Sequence, residues 1–124
     1  MTKLFSRVYN ISMPEKRENQ RYKTLAHARI PHILEGNNPL KDLSVTGCCI
    51  ESTAYAKIKP ETTYQLEIMP EQIARIDSFV LEVESRWVRP EGNSGEVGFS
   101  VIASPKGKEF QRYVDYLAYR SSRR

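Results

Sequence analysis

The sequence has few of the residues on which several classes of protein depend. Its two cysteines, Cys48 and Cys49, are adjacent, which excludes a conventional disulfide framework. His27 and His32 have no cysteine or acidic cluster beside them, so no metal site is predicted. No run approaches the roughly 20 apolar residues of a membrane span, and the first seven residues lack the apolar core of a signal peptide. We therefore expect a cytoplasmic protein that has no metal and no membrane span.

Motifs of the common catalytic mechanisms are also missing. The chain has no G-x-S-x-G elbow, no phosphate-binding glycine loop followed by Lys and Ser or Thr, and no H-E-x-x-H. A catalytic thiol needs a neighbouring histidine or a cationic setting, and the sequence identifies neither for Cys48 or Cys49. We predict that the protein is not an enzyme and has no cofactor.

What the sequence does have is an excess of positive charge near its two ends. The net charge is +4, from 19 Lys and Arg against 15 Asp and Glu. Residues 1–29 carry seven basic and two acidic side chains, residues 30–104 carry six and eleven, and residues 105–124 carry six and two. The acidic middle argues against a polynucleotide track, whereas a local anion site near one end remains open. Length and composition are those of one globular domain.

Alternating apolar and polar residues predict a mainly β fold. Residues 1–22 show no sustained period and are expected to form an irregular arm, whereas residues 23–104 have the pattern of a small antiparallel sheet or barrel. The predicted strands comprise residues 24–34, 40–43, 48–52, 64–68, 79–88 and 96–102. The turn signals lie at residues 35–39, 44–47 and 91–95. Trp87 lies in an alternating strand beside Leu81 and Val83, so we predict that it belongs to the core.

The end of the chain has a different period. Residues 105–107, Pro-Lys-Gly, break the last strand. Four apolar residues then fall at helical spacing: Phe110, Tyr113, Val114 and Leu117. This spacing predicts an amphipathic helix within residues 105–124 that caps an open end of the barrel.

One short basic motif lies in the arm. Arg17 and Arg21 are four residues apart, and Lys16 precedes the first of them. A guanidinium group is planar, stays charged and presents forked donors that match phosphate oxygens or the O6/N7 edge of guanine. Taken alone, this spacing is equally typical of solvated charged residues on a protein surface.

A second motif, D-x-S-x-x-G, comprises Asp42, Ser44 and Gly47. A carboxylate accepts hydrogen bonds from the N1–H and N2–H₂ donors of guanine. Gly47 permits a positive φ or a close backbone approach. Alone, the motif is also typical of a turn in which Asp and Ser bind their own backbone.

Together, the two motifs resemble those of the PilZ domain family. R-x-x-x-R precedes D-x-S-x-x-G across one predicted strand, and residues 85–88 and 97–101 look like that family's penultimate strand and its h-G-h-x-F strand. The resemblance extends from about residue 16 to about residue 120. It implies one PilZ-like domain: a six-stranded antiparallel β-barrel over residues 23–104 with an irregular N-terminal arm and a C-terminal α-helix.

The function that the resemblance implies is binding of cyclic di-GMP, a bacterial second messenger. The arginines would grip phosphate and guanine, the carboxylate and hydroxyl would bind a guanine edge, and the glycine would shape the turn. The residues carried over are Arg17, Arg21, Asp42, Ser44, Gly47 and, at the position before the first arginine, Lys16. Lysine there keeps the charge but loses the forked donors that arginine offers members that bind an intercalated ligand dimer.

We therefore expect a receptor that reorders its arm on binding cyclic di-GMP and signals through a partner protein. One alternative is an adaptor of the same fold that acts through a partner with weak or no nucleotide binding. Another is a small β-barrel that binds single-stranded nucleic acid, which requires basic and aromatic residues interleaved along the strands. The acidic balance of residues 30–104 disfavours that last function.

Overall fold

A computed structural model describes residues 20–104 and 108–122. Within these residues the chain forms seven strands and one α-helix. The strands are β1 (Tyr22–Lys23), β2 (His27–Ile30), β3 (Leu34–Leu43), β4 (Gly47–Ser52), β5 (Thr63–Met69), β6 (Phe79–Glu91) and β7 (Ser94–Ala103). The helix, α1, comprises Glu109–Ser122, and two 3-10 turns lie at Tyr55–Lys57 and Gln72–Ala74. The described helices include none that is long and apolar enough to cross a membrane.

Six of the strands close into an antiparallel barrel. They pair in the order β3, β2, β5, β6, β7 and β4, and the pairing of β3 with β4 completes the circle. The short β1 pairs with the C-terminal end of β3, on the same edge of β3 as β2. The predicted mainly β, six-stranded barrel with a C-terminal helix is therefore confirmed, while most of the predicted arm, residues 1–19, lies outside the described residues.

The core lies inside the barrel and is built by strand alternation. In β5 the side chains of Tyr64, Leu66 and Ile68 are buried, while Gln65 is exposed. Each such fully buried aliphatic side chain stabilises the fold by about 1.5–3 kcal/mol relative to an exposed one. Regular alternation of this kind is the part of the barrel that the sequence pattern predicts directly.

Helix α1 covers the end of the barrel at the start of β6. Tyr113 and Leu117 are buried, and the ring of Phe110 lies 5.8 Å from that of Phe79. Arg120 donates to a carboxylate oxygen of Glu71 at 2.9 Å. The predicted amphipathic helix is confirmed, with its apolar residues turned toward the barrel.

The predicted turn at residues 35–39 is wrong. The chain reverses at residues 31–33, where His32 has φ of 72°, and β3 then continues through the turn-forming residues. Gly36 takes φ of 84° within an irregular stretch of the β2–β3 pairing. The buried amide of Asn38 donates to backbone carbonyls of β2 and β3 at 3.0 and 3.3 Å. Turn-forming residues are therefore used here to bend a strand rather than to end it.

Two bulges change which side chains face outward. In β3, Lys41 and Asp42 together oppose Cys49, so both point away from the core. In β6, Arg86 and Trp87 together oppose Gly98. Trp87 is consequently 43% exposed, and its predicted place in the core is wrong. The extra residue of a bulge moves the following side chain to the opposite face of the sheet.

Candidate ligand-binding site

Arg21 and Asp42 meet on the outside of the barrel. Strand β1 pairs with the end of β3, with Lys23 opposite Asp42, which brings Arg21 beside that carboxylate. Nη1 of Arg21 donates to Oδ1 of Asp42 at 2.8 Å. The two side chains are 45% and 30% exposed, so both retain surface that a ligand can reach.

The bulge in β3 is the reason that Asp42 faces Arg21. Leu40 and Leu43 are both buried although they are three residues apart, which strict alternation does not allow. The extra residue at Lys41 resolves the conflict, because it turns Asp42 outward. A carboxylate turned inward would have to be desolvated without a partner.

The backbone of Gly47 lies directly under the guanidinium group of Arg21. A Cβ atom on Gly47 would lie 2.9 Å from Nη2 of Arg21 and 2.7 Å from the carbonyl oxygen of Phe99. Glycine is therefore required at position 47 because other atoms approach its backbone closely. The sequence allows two reasons for this glycine, a positive φ and a close approach, and the second applies. The motif residues Arg21, Asp42 and Gly47 therefore lie together, with the buried Gly47 beneath the exposed ion pair.

Ser44 is close to these residues and is itself buried. Its hydroxyl oxygen accepts hydrogen bonds from the backbone N–H groups of Thr46 and Gly47, each at 3.1 Å. In this conformation Ser44 holds the turn between β3 and β4, as Ser commonly does. A contact from Ser44 to a guanine edge remains a prediction, and Lys16 and Arg17 lie outside the described residues.

Helix α1 helps to hold Arg21 in place. Nη2 of Arg120 donates to the carbonyl oxygen of Lys23 at 2.9 Å, while Nη1 of the same residue binds Glu71. This contact fixes the two-residue strand β1, which has few ladder hydrogen bonds of its own. Arg21 also lines a cleft of about 550 Å³ between β1 and α1.

A row of paired residues leads from Asp42 across the outside of the barrel. Asp42 lies opposite Cys49, Cys49 opposite Gly98, and Gly98 opposite Trp87. Measured along the curved sheet, three strand spacings, or about 14 Å, separate the ends of this row, which extends half of the way around the six-stranded barrel. The two residues between the ends, Cys49 and Gly98, are small and buried, and the row has a charged pair at one end and an aromatic ring at the other.

The thiols of Cys48 and Cys49, both in strand β4, are free and buried, and they are poorly reactive. Burial raises the pKa of Cys48 to about 12 and that of Cys49 to about 11. The thiols are therefore protonated at neutral pH and are poor nucleophiles. Among the described residues, no group of three or more His, Cys, Asp or Glu side chains could hold a metal ion.

Within this row, Trp87 is the residue that the sequence pattern assigned wrongly. Its indole lies on Gly98, where a Cβ atom would be 2.2 Å from the ring, and Arg89 lies over the ring at 5.2 Å from its centroid. A signal was present in the sequence. Val88 is out of phase with the inward-facing Val83, which implies one extra residue between them.

The solved structure of an inhibitor of motility from Bacillus subtilis, MotI/DgrA, is similar to this chain. The match has a TM-score of 0.67 and 15% identity, and it covers 84% of this chain and 50% of the other, so this chain spans about half the length of that protein. No family model and no curated protein matches the sequence. At this identity the likeness shows the fold alone: the barrel and helix described above.

Proposed function

We propose that the protein is a regulator of the PilZ type that binds cyclic di-GMP on the outer face of the barrel. The observation that carries this proposal is the meeting of Arg21 and Asp42 directly over Gly47. These three residues come from the two motifs that resemble the family, and they are 26 positions apart at most in the sequence. A cation and a carboxylate that lie together over a glycine are suited to a phosphate and a guanine edge.

Each of the three residues has a definite role in the proposed complex. Arg21 uses one of its five N–H donors on Asp42, so others remain for a phosphate oxygen. Asp42 accepts from N1–H and N2–H₂ of guanine, donors that adenine does not present in this pattern. Gly47 leaves room for the ligand and the guanidinium group to lie close to the backbone. Ser44 supports this arrangement from within its turn.

Trp87, together with the guanidinium group of Arg89 that lies over its ring, is proposed to form the platform on which the second purine of the ligand stacks. The indole lies at the far end of the row that begins at Asp42, and almost half of its surface is exposed. Stacking of a base on an aromatic side chain contributes about 1–3 kcal/mol. A dinucleotide has two bases and two phosphates, which matches a surface that has a charged end and an aromatic end.

Lys16 and Arg17 are proposed to complete the site from the arm. A dianionic ligand that bridges the arm and the barrel would order the arm as it binds, and the ordered arm would then contact an effector protein. The Bacillus subtilis protein of similar fold is named as an inhibitor of motility, which supports a regulatory function rather than an enzymatic one.

Calorimetric titration with cyclic di-GMP tests the proposal. Arg21→Ala should weaken binding about 10- to 150-fold, because a hydrogen bond to a charged group contributes about 1.5–3 kcal/mol. Arg29→Ala is the matched control, since Arg29 also pairs with a carboxylate on the outside of the barrel and is similarly exposed. Equal affinity of the Arg21→Ala variant and the wild type would refute the site.

Thermal melting separates this function from that of an adaptor without a ligand. A ligand that binds only the folded protein raises its stability by RT ln(1 + [L]/Kd). We expect a rise in Tm with cyclic di-GMP and a smaller rise with cyclic di-AMP at the same concentration. No rise with either dinucleotide would favour the adaptor, and steeply salt-dependent binding of an oligonucleotide would favour a nucleic-acid function.

A further inference from the structure

Glu96 is a charged residue that the two motifs do not include and that is nonetheless almost completely covered. It lies on β7, faces the outside of the barrel, and its side chain is only 6% exposed. Lys41 of β3 binds one carboxylate oxygen and Arg89 of β6 binds the other. The carboxylate therefore joins strands on both sides of β7.

The partners of Glu96 are themselves largely exposed. The side chains of Lys41 and Arg89 are 43% and 65% exposed, so the carboxylate is covered by two cations that still reach solvent. A carboxylate with so little exposure to water is stable only when it is paired with opposite charges, as Glu96 is with Lys41 and Arg89. The hydrogen bonds from Lys41 and Arg89 lower the pKa of Glu96, so the carboxylate is charged at neutral pH.

The guanidinium group that Glu96 binds is the one that lies over Trp87. Arg89 is 5.2 Å from the indole centroid, and Arg89 and Glu96 are directly opposite each other in the β6–β7 pairing. A free arginine side chain samples many rotamers, and holding it against an aromatic ring removes that freedom before a ligand arrives. Glu96 uses one of the five N–H donors, and the others remain for a ligand.

We infer that Glu96 is a positioning residue of the ligand site, which holds Arg89 at the indole of Trp87 so that a phosphate of the ligand meets a fixed cation there. This inference rests on the proposed function. The site then has two cations at its two ends, Arg21 beside Asp42 and Arg89 beside Trp87. Because Arg89 is ordered in advance, binding does not have to order it, which favours affinity.

A double-mutant cycle with cyclic di-GMP tests the inference. Glu96→Gln and Arg89→Ala should each weaken binding about 5- to 10-fold, a change typical of one hydrogen bond or ion pair. Because Glu96 acts through Arg89, the double variant should bind no more weakly than Arg89→Ala alone. Additive losses, or an unchanged affinity of Glu96→Gln, would overturn the inference.

Glu67→Gln is the matched control, because Glu67 also pairs with an arginine on the outside of the barrel. A second measurement needs no ligand: Trp87 is the only tryptophan, so its emission reports the position of Arg89. Glu96→Gln should change the emission in the same direction as Arg89→Ala, and Glu67→Gln should leave it unchanged. If the wild type does not bind cyclic di-GMP, the proposed function fails, and if it binds while Glu96→Gln binds equally well, only this inference fails.

Discussion

The outside of the barrel carries two arginine–carboxylate pairs that look alike and differ in their surroundings. Arg21 binds Asp42 at 2.8 Å and Arg29 binds Glu67 at 2.7 Å, and the two arginines are 45% and 42% exposed. Arg29 and Glu67 are opposite each other in the regular β2–β5 pairing, where such pairs stabilise a sheet modestly. The Arg21 pair lies at a bulge, over a glycine, at one end of a row of small residues.

The comparison shows that an ion pair does not identify a site by itself. Surface pairs of this kind contribute about 0–1 kcal/mol to stability wherever they occur. The Arg21 pair differs because Arg21 lines a cleft, whereas the Arg29 pair lies within the regular β2–β5 pairing. Substitutions at Gly47 and Trp87 test whether this difference in surroundings matters, and the pH dependence of stability tests the smaller contribution of the Glu96 cluster.

Gly47→Ala should have the largest effect. A Cβ atom there would meet the backbone oxygen of Phe99 at 2.7 Å, so the strands must move, at a cost of about 1–3 kcal/mol of stability. Arg21 must move as well, and we expect affinity for cyclic di-GMP to fall with stability. Chemical denaturation and calorimetry measure the two quantities separately.

Gly36→Ala is the control for that variant. Gly36 has open space around it but a positive φ, so alanine there should lower stability without changing affinity. If Gly47→Ala bound the ligand as well as Gly36→Ala does, the surroundings of Arg21 would not distinguish it from Arg29.

Trp87→Ala should lower affinity for cyclic di-GMP by about 1–3 kcal/mol through the loss of base stacking. Its effect on the free energy of unfolding should be small, because 43% of the side chain is already exposed. Val80→Ala is the matched control: Val80 lies on the same strand and is 40% exposed. A stability loss in Trp87→Ala typical of a core residue, together with unchanged binding, would show that Trp87 has only a structural role.

The smallest effect is that of pH on the Glu96 cluster. Hydrogen bonds from Lys41 and then Arg89 lower the pKa of Glu96 from its ordinary value of 4.5. A carboxyl whose pKa is lowered by folding binds more protons in the unfolded state, so its contribution to stability is present above pH 4.5 and is lost as the pH falls through the folded value. The stability difference between the wild type and Glu96→Gln should therefore narrow in that acidic window. A constant difference between pH 7 and pH 3 would contradict this.

Much of the barrel could be predicted because regular strands follow a period of two. The alternation of Tyr64, Leu66 and Ile68 is sufficient to place β5, and helical spacing is sufficient to place α1. The turn at residues 35–39 could not be placed in this way. Gly and Asn residues are typical both of a turn and of an irregular position within a strand. Only the pairing with strand β2 shows that residues 35–39 form the second of these.

The residue types of the candidate site could be predicted from the sequence, but their arrangement could not. The residue types of the two motifs, and the resemblance of the motifs to those of the PilZ family, predicted an anion and guanine site, and the structure brings Arg21, Asp42 and Gly47 together. Ser44 shows the limit of the pattern, because the fold places its hydroxyl within a turn. The Glu96 cluster has no sequence motif, since its members come from three strands.

The sequence by itself determined the mainly β class, the C-terminal helix and the two motifs, because these depend on residue type and on local periodicity. The tertiary structure alone decided which side of the barrel Asp42 and Trp87 face. Each is the second of two bulge residues that oppose one residue of the partner strand, and a bulge is defined only by the pairing of two strands. Strand pairing joins residues that are distant in the chain, so a local pattern such as the phase of Val83 and Val88 can suggest a bulge but cannot place it.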